Sequence, residues 1–465
     1  MAKLICDGGC GEVTGSMHIV EHRGRYIALD CGLFQGRRSE ANMKNRSFAV
    51  DPDKIECVIL SHSHIDHCGR LPRLVKEGFR GLIYTTPASR DLAAILLADS
   101  AHIQEEDADF YNRKRLKNGE SPIESLYSVE DAVRTMEQFI AVPYGKQFKL
   151  NGDIKVTFYD AGHILGSSIV QVDFEEKSKT TRLVFSGDLG RAGLPILRDP
   201  SPLPDCDHLI VESTYGGRIH DNLQDMKEKL CEQILLTVQN SGKVIIPSFS
   251  VGRTQTLVYY LTQLIHEGRL PNIPIFIDSP LSTNATEIFR LHPECFDSEA
   301  LKWLDRLGDI MGNHCCQFIR STEDSKSLNG RREPCVIISA SGMCEGGRIL
   351  HHLANNITDE RNTILVVGFM AAHTLGRRIV EREPEVKIFG QMYPLKAHVK
   401  TLNGFSAHAD SNELAAWLAP KAGRIKKLLI AHGEPDQSQA LADRAAKLGY
   451  RNIVLTTPEL EVALN

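Results

Sequence analysis

The stretch Ser61-His62-Ser63-His64-Ile65-Asp66-His67 packs four groups able to bind a metal into six residues. The run before it, Ile55-Glu56-Cys57-Val58-Ile59-Leu60, is short and apolar, the pattern of a buried strand. The run after it, Gly69-Arg70-Leu71-Pro72-Arg73-Leu74-Val75-Lys76, reads as a turn into a helix. The four groups therefore sit on the loop at the carboxyl end of a strand, where α/β sheets place their sites. His62, His64, Asp66 and His67 cannot all reach one small ion from one turn. Two ions side by side resolve the geometry, the first taking His62 and His64, the second Asp66 and His67. Imidazole with carboxylate suits a zinc-like divalent metal.

Working outward, the same arrangement recurs. Tyr26-Ile27-Ala28-Leu29-Asp30 ends a strand-like run in a carboxylate, which can orient a ligating histidine from behind. Val156-Thr157-Phe158-Tyr159-Asp160-Ala161-Gly162-His163 ends in histidine, and Leu183-Val184-Phe185-Ser186-Gly187-Asp188 ends in aspartate. On this pattern His163 completes the first metal, and Asp188, with two carboxylate oxygens, can bridge both. Near the C-terminus, Phe405-Ser406-Ala407-His408-Ala409-Asp410 leads into a helix, and Lys427-Leu428-Leu429-Ile430-Ala431-His432 is another apolar strand ending in histidine. The run Ala397 to Leu402 reads as a strand that returns to this first pattern.

The chain has 465 residues, enough for two sizeable domains. Its 42% hydrophobic and 24% charged residues fit a globular protein. No run of about 18 apolar residues is present, so no membrane span is expected, and the N-terminus reads directly into a strand with no leader. The twelve cysteines are scattered, with Cys315-Cys316 adjacent and no C-x-x-C pair, which predicts free thiols and a cytoplasmic location. With a net charge of -5, any polyanion must be held by a local basic surface.

From about residue 208 four strand–loop–helix units follow one another, beginning at Val244, Ile275, Val336 and Ile364. That repetition predicts a doubly wound parallel α/β domain. Its loops Ser248 to Arg253 and Ser341 to Arg348 are rich in Gly, Ser and Arg, a composition that suits phosphate at helix starts. Arg253, Ser341, Gly342, Arg348 and Arg377 are the candidate phosphate contacts. The predicted boundaries are 1–207 with 394–465 for the metal-binding domain and 208–393 for the inserted one.

The histidine loop, the inserted α/β domain and Phe405-Ser406-Ala407-His408-Ala409-Asp410 together resemble the β-CASP branch of the metallo-β-lactamase superfamily. The similarity runs end to end, through Val13-Thr14-Gly15-Ser16, Asp30-Cys31-Gly32, Gly187-Asp188-Leu189-Gly190, Glu212-Ser213-Thr214-Tyr215-Gly216, Ser341-Gly342-Met343 and Thr374-Leu375-Gly376. It implies an αββα metallo-β-lactamase sandwich carrying the parallel α/β insertion. It also implies two zinc ions, one on His62, His64 and His163 and one on Asp66, His67 and His408, with Asp188 bridging. Asp30 and His432 would lie behind the ligands.

The activity implied is hydrolysis of single-stranded RNA, by endonucleolytic or 5′–3′ exonucleolytic cleavage or both. Asp66, Asp188 and Glu212 would be catalytic. The eukaryotic nucleases of this family carry a histidine in the helix after the Thr-Leu-Gly turn; here Arg377 and Arg378 stand there and His373 precedes it. His373 or Arg378, supported by Glu212, is thus the expected leaving-group residue. RNA is the expected partner, a homodimer is the assembly allowed for, and no membrane is involved. Two other readings compete. A thioester or lactam hydrolase of the superfamily would generally lack the four-unit insertion. A metal-free RNA-binding scaffold would have lost ligands that are all present here.

Overall fold

Strands buried on both faces read as nearly continuous apolar runs, and here such runs build two sheets that share one core. The computed structural model describes residues 2–464 apart from 177–178, 313–314, 369 and 372. The chain forms two compact units, one of residues 1–192, 199–219 and 408–465, the other of 193–198 and 220–407.

In the first unit, one seven-stranded sheet runs in the order Glu461–Leu464, Ala2–Gly8, Met17–His22, Arg25–Leu29, Ile55–Ile59, Leu82–Thr85, Phe139–Ala141. The other runs Ile453–Leu455, Lys427–Ala431, His208–Glu212, Lys179–Phe185, Ser168–Glu176, Ile154–Asp160, Phe148–Asn151. Alternation along each strand decides which side chains fill which layer. Ile27, Leu29 and Ile59 meet Val170, Val172 and Phe185 between the sheets. Ala28 and Val58 point the other way, against Ala93 and Leu97 of helix Pro87–Lys117. On the far side, Val184, Leu209 and Val211 pack on Leu414 and Leu441, from helices Ser411–Leu418 and Pro435–Leu448. This is the αββα sandwich that the resemblance implies.

The second unit holds a six-stranded, all-parallel sheet in the order Cys316–Phe318, Ile275–Asp278, Val336–Ser339, Val244–Pro247, Thr363–Val366, His398–Thr401. Ile246 and Ile338 face Leu257 and Leu261 of helix Arg253–His266. Ile245 and Ile337 face Leu353 and Ile379 of helices Ile349–Asn356 and Leu375–Val380. With helices on both faces the sheet is doubly wound, and each of the four expected strands leads into its helix.

Two features differ from the sequence reading. Strand His398–Thr401 pairs in parallel with Thr363–Val366, so it closes the second sheet and does not return to the first unit. Strand His208–Glu212 lies between Lys179–Phe185 and Lys427–Ala431. The boundaries therefore fall at 219/220 and 407/408, beyond the 207/208 and 393/394 read from sequence. Both strands are short, and pairing partners at such distance along the chain are set by tertiary packing, which composition does not encode.

Candidate metal centre

The carboxyl ends of parallel strands gather the polar residues at one edge of the first unit. Asp30 follows Arg25–Leu29, the histidine loop follows Ile55–Ile59, and Asp188 follows Lys179–Phe185; Glu212 ends His208–Glu212 and His432 follows Lys427–Ala431. The loops fit together closely. A Cβ on Gly32 would lie 1.6 Å from the Asp66 carbonyl oxygen, so only glycine lets the Asp30-Cys31-Gly32 turn touch the histidine loop. Arg70, almost wholly buried, locks that turn by donating from Nε to Gly32 O at 2.7 Å and pairing with Asp7 at 3.0 Å.

His62, His64, His163 and Asp188 form one group whose ligand atoms lie within 4.8 Å of one another. His64 Nδ1 is 3.1 Å from His62 Nε2 and 3.2 Å from His163 Nε2, and Asp188 Oδ2 is 3.5 and 3.6 Å from the same two Nε2 atoms. Burial comes first among the causes that push His62 well below the ordinary imidazole range and His64 down to about 4. Neutral rings converging their nitrogens on one point and one carboxylate are the donor set of a zinc site.

Asp66, His67 and His432 form a second group within the same limit. His432 Nε2 lies 3.7 Å from Asp66 Oδ2, and its Nδ1 lies 3.2 Å from Asp188 Oδ1. His67 Nε2 is 3.3 Å from Asp188 Oδ2. Among the described residues, His67 Nε2, His432 Nε2 and Asp188 Oδ1 are buried without a hydrogen-bond partner of good geometry, the state a cation resolves. Burial would raise the Asp188 carboxyl, but His432 and His67 hold it well below the usual carboxylate range. Both groups thus fit a metal, and Asp188 touches both.

The sequence reading set His408 with Asp66 and His67 and kept His432 behind the ligands; in the structure it is His432 that lies with Asp66 and His67. His408 instead pairs with Glu212, Nδ1 to Oε1 at 3.2 Å, and stands 3.9 Å from Asp188 Oδ2. The physical cause is sheet order. Strand Lys427–Ala431 lies next but one to Lys179–Phe185, so His432 and Asp188 emerge as neighbours. His408 comes in on a loop through a bridge to Gly190, braced by the Asp410–Glu413 capping box of the following helix. The Glu212 carboxylate also accepts from Leu189 N at 2.8 Å and Thr214 N at 3.1 Å. Burial opposes the charged ring of His408, yet Glu212 outweighs it and pushes that group up to about 9. Glu212 is thus paired with His408, where the sequence reading paired it with His373 or Arg378.

Asp30 lies behind the second group as expected. It adopts φ 62°, accepts from Ser61 N and Ser61 Oγ at 2.7 and 2.9 Å, and holds His67 Nδ1 at 2.7 Å. Asp30→Ala should weaken metal binding by about 10- to 100-fold, the usual cost of removing a partner behind a ligating histidine, as read by chelator competition. An unchanged affinity would show that packing alone orients His67.

In the second unit the candidate phosphate contacts are largely engaged. Arg348 pairs with the buried Asp278 at 2.7 Å and donates to Arg320 O at 2.7 Å. Asp278 also binds His352 and Ser325, each at 2.6 Å. Arg253 donates to Val367 O and stacks over Phe405, and Arg377 pairs with Glu381 at 2.6 Å. These three guanidinium groups each have a partner within their own unit. Ser341 Oγ accepts from Glu345 N at 3.3 Å, and Gly342 sits against the Phe249 ring. His373 is exposed with φ 66°, and Arg378 lies on helix Leu375–Val380. Among the described residues no helix is long and apolar enough to cross a membrane.

An αββα sandwich with histidines and carboxylates gathered at its strand ends defines a metallo-hydrolase. Three family profiles match: Metallo-beta-lactamase superfamily over residues 10–93, Beta-Casp domain over 254–379, and Zn-dependent metallo-hydrolase RNA specificity domain over 392–455. A ribonuclease of Thermus thermophilus is 34% identical over 447 residues, covering 96% of each chain. An RNase J-like protein of Methanocaldococcus jannaschii is 29% identical over 446 residues, 95% of each. Transcription termination factor FttA of Methanosarcina mazei is 30% identical over 466 residues, 97% of this chain and 69% of that one. A solved protein of unknown function from Enterococcus faecalis shares the fold, with a TM-score of 0.56, 12% identity and 99% of each chain covered. The chain belongs to the β-CASP family of zinc-dependent metallo-β-lactamase-fold hydrolases.

Proposed function

We propose that this protein is a two-zinc ribonuclease that hydrolyses phosphodiester bonds of single-stranded RNA. The observation that carries the reading is Asp188, which lies within 3.6 Å of a ring nitrogen in each of two separate histidine–carboxylate groups. His62, His64, His163 and Asp188 would hold one ion, and Asp66, His67, His432 and Asp188 the other. Bound zinc would supply charge neutralisation at the phosphodiester and a more acidic water.

The protein's own residues then handle the leaving group. Cleavage of the P–O3′ bond leaves a 5′-phosphate on one product and a 3′-hydroxyl on the other. The departing O3′ needs a proton. His408 is held charged by Glu212 at Nδ1, so a proton passes to O3′ from its other nitrogen while the carboxylate steadies the ring. The names of the Thermus and Methanocaldococcus relatives favour RNA over a thioester or lactam.

Zinc-loaded protein incubated with 5′- and 3′-labelled single-stranded RNA should give products that carry 5′-phosphates and vanish with chelator. A ladder of internal products marks endonuclease action, and released mononucleotides mark exonuclease action. Intact RNA alongside hydrolysis of a thioester or lactam would overturn the proposal.

A further inference from the structure

The first two strands carry a set of soft ligands that the histidine–carboxylate centre does not use. Cys6 and His18 are direct partners across the antiparallel pair Ala2–Gly8 and Met17–His22, so their side chains leave the same face of the sheet. The chain turns after Gly8, with Gly9 at φ 65°, and brings Cys10 to the same place. One ligand atom from each of Cys6, Cys10 and His18 lies within 4.8 Å of the others. All three residues are buried, at 0, 4 and 0% exposure. Leu4, Val20 and Phe185 share this inter-sheet layer with the two cysteines, and the His18 ring meets the Phe185 ring edge-on at 5.6 Å.

One observation separates this cluster from an ordinary thiol-lined core. Neither ring nitrogen of His18 has a hydrogen-bond partner among the described residues, although buried polar atoms almost always find one. The Cys10 thiol donates to Gly8 O at 3.2 Å.

We propose that Cys6, Cys10 and His18 form a third metal site, for a zinc-class divalent cation, separate from the histidine–carboxylate centre. Sulfur and imidazole ligands select zinc-like ions over magnesium or calcium. Two thiolates and a neutral imidazole around a dication sum to zero charge, so the complex can lie in an apolar layer without a net buried charge. A monovalent copper ion in the same place would leave one negative charge uncompensated. Binding releases the two thiol protons to solvent.

The site has a structural consequence for the neighbouring centre. Gly9, one residue before Cys10, accepts at its carbonyl from His432 N at 2.7 Å. Tying Cys10 to Cys6 and His18 fixes the turn that holds His432, so the third metal is a positioning element.

The test is cobalt substitution of the reduced full-length protein, with zinc counted in parallel. Cobalt-loaded wild type should show thiolate-to-cobalt charge transfer in the near ultraviolet, which a centre of nitrogen and oxygen ligands cannot give. Cys10→Ser and the double change Cys6→Ser, Cys10→Ser should lose that band and about one equivalent of zinc per chain. His64→Ala, which disturbs only the other centre, should keep the band. The wild-type spectrum requires no variant to fold. Its lack of a near-ultraviolet band would overturn the proposal, as would a band that survives the double change. Cysteines 6 and 10 found joined as a disulfide, with no metal taken up after reduction, would overturn it equally.

Discussion

Asp188→Asn is expected to lower RNA cleavage by ~10³-fold or more and to cost zinc from both groups. The residue is 2% exposed, and its two oxygens are shared. Oδ2 faces His62, His163 and His67 at 3.5, 3.6 and 3.3 Å, and Oδ1 faces His432 at 3.2 Å. Neutralising it removes the one anion common to both clusters of imidazoles. The rate loss follows from the charge stabilisation forfeited in the transition state, where a few kcal/mol reads out as several powers of ten. His64→Ala supplies the contrast, because His64 faces only the first group and its loss should leave the second loaded. Metal analysis of the two variants after gentle purification makes the comparison. Full zinc content in Asp188→Asn would remove the bridge from the mechanism.

Glu212→Gln and His408→Ala should each keep their zinc and lose cleavage by about 10²- to 10⁴-fold, the scale of an acid–base partner. Glu212 holds His408 at 3.2 Å and is itself fixed by two backbone amides. A purely structural loss would slow every substrate alike. Loss of a proton donor would not, so an RNA whose scissile O3′ is replaced by sulfur, a leaving group that needs no proton, should be cleaved by both variants at nearly the wild-type rate. His432→Ala should behave in the opposite way, with zinc lost and no recovery on the sulfur substrate. Should His408→Ala empty a metal site while His432→Ala keeps it full, the ligand assignment would revert to the one read from sequence.

Much of this centre was legible in the chain because its determinants are local. A short apolar run is buried whatever its neighbours are, so a histidine or aspartate at its end is delivered to a strand edge. That reasoning singled out His62, His64, Asp66, His67, His163 and Asp188 as candidate ligands and Asp30 as a residue behind them, and the structure brings all seven to one end of the first unit. The four strand–loop–helix units were legible for the same reason, since each is a self-contained switch of hydrophobic period.

What tertiary structure decided is which equivalent signals meet. His408 and His432 both follow a strand-like run, and nothing local says which carboxylate each will meet. Sheet order brings His432 to Asp188 and a bridged loop brings His408 to Glu212. The arginines carry the same lesson. Arg253 and Arg348 lie in loops whose composition suits phosphate, yet one guanidinium is spent on a carbonyl and the other on the buried Asp278. Whether an arginine faces solvent or a buried carboxylate depends on residues far away in the chain. The sheet that receives His398–Thr401 and the convergence of Cys6, Cys10 and His18 were likewise set by pairing. Burial and alternation are properties of a segment and can be read from it; partners are properties of the folded chain, because the free energy that selects them comes from surfaces that only the fold brings into contact.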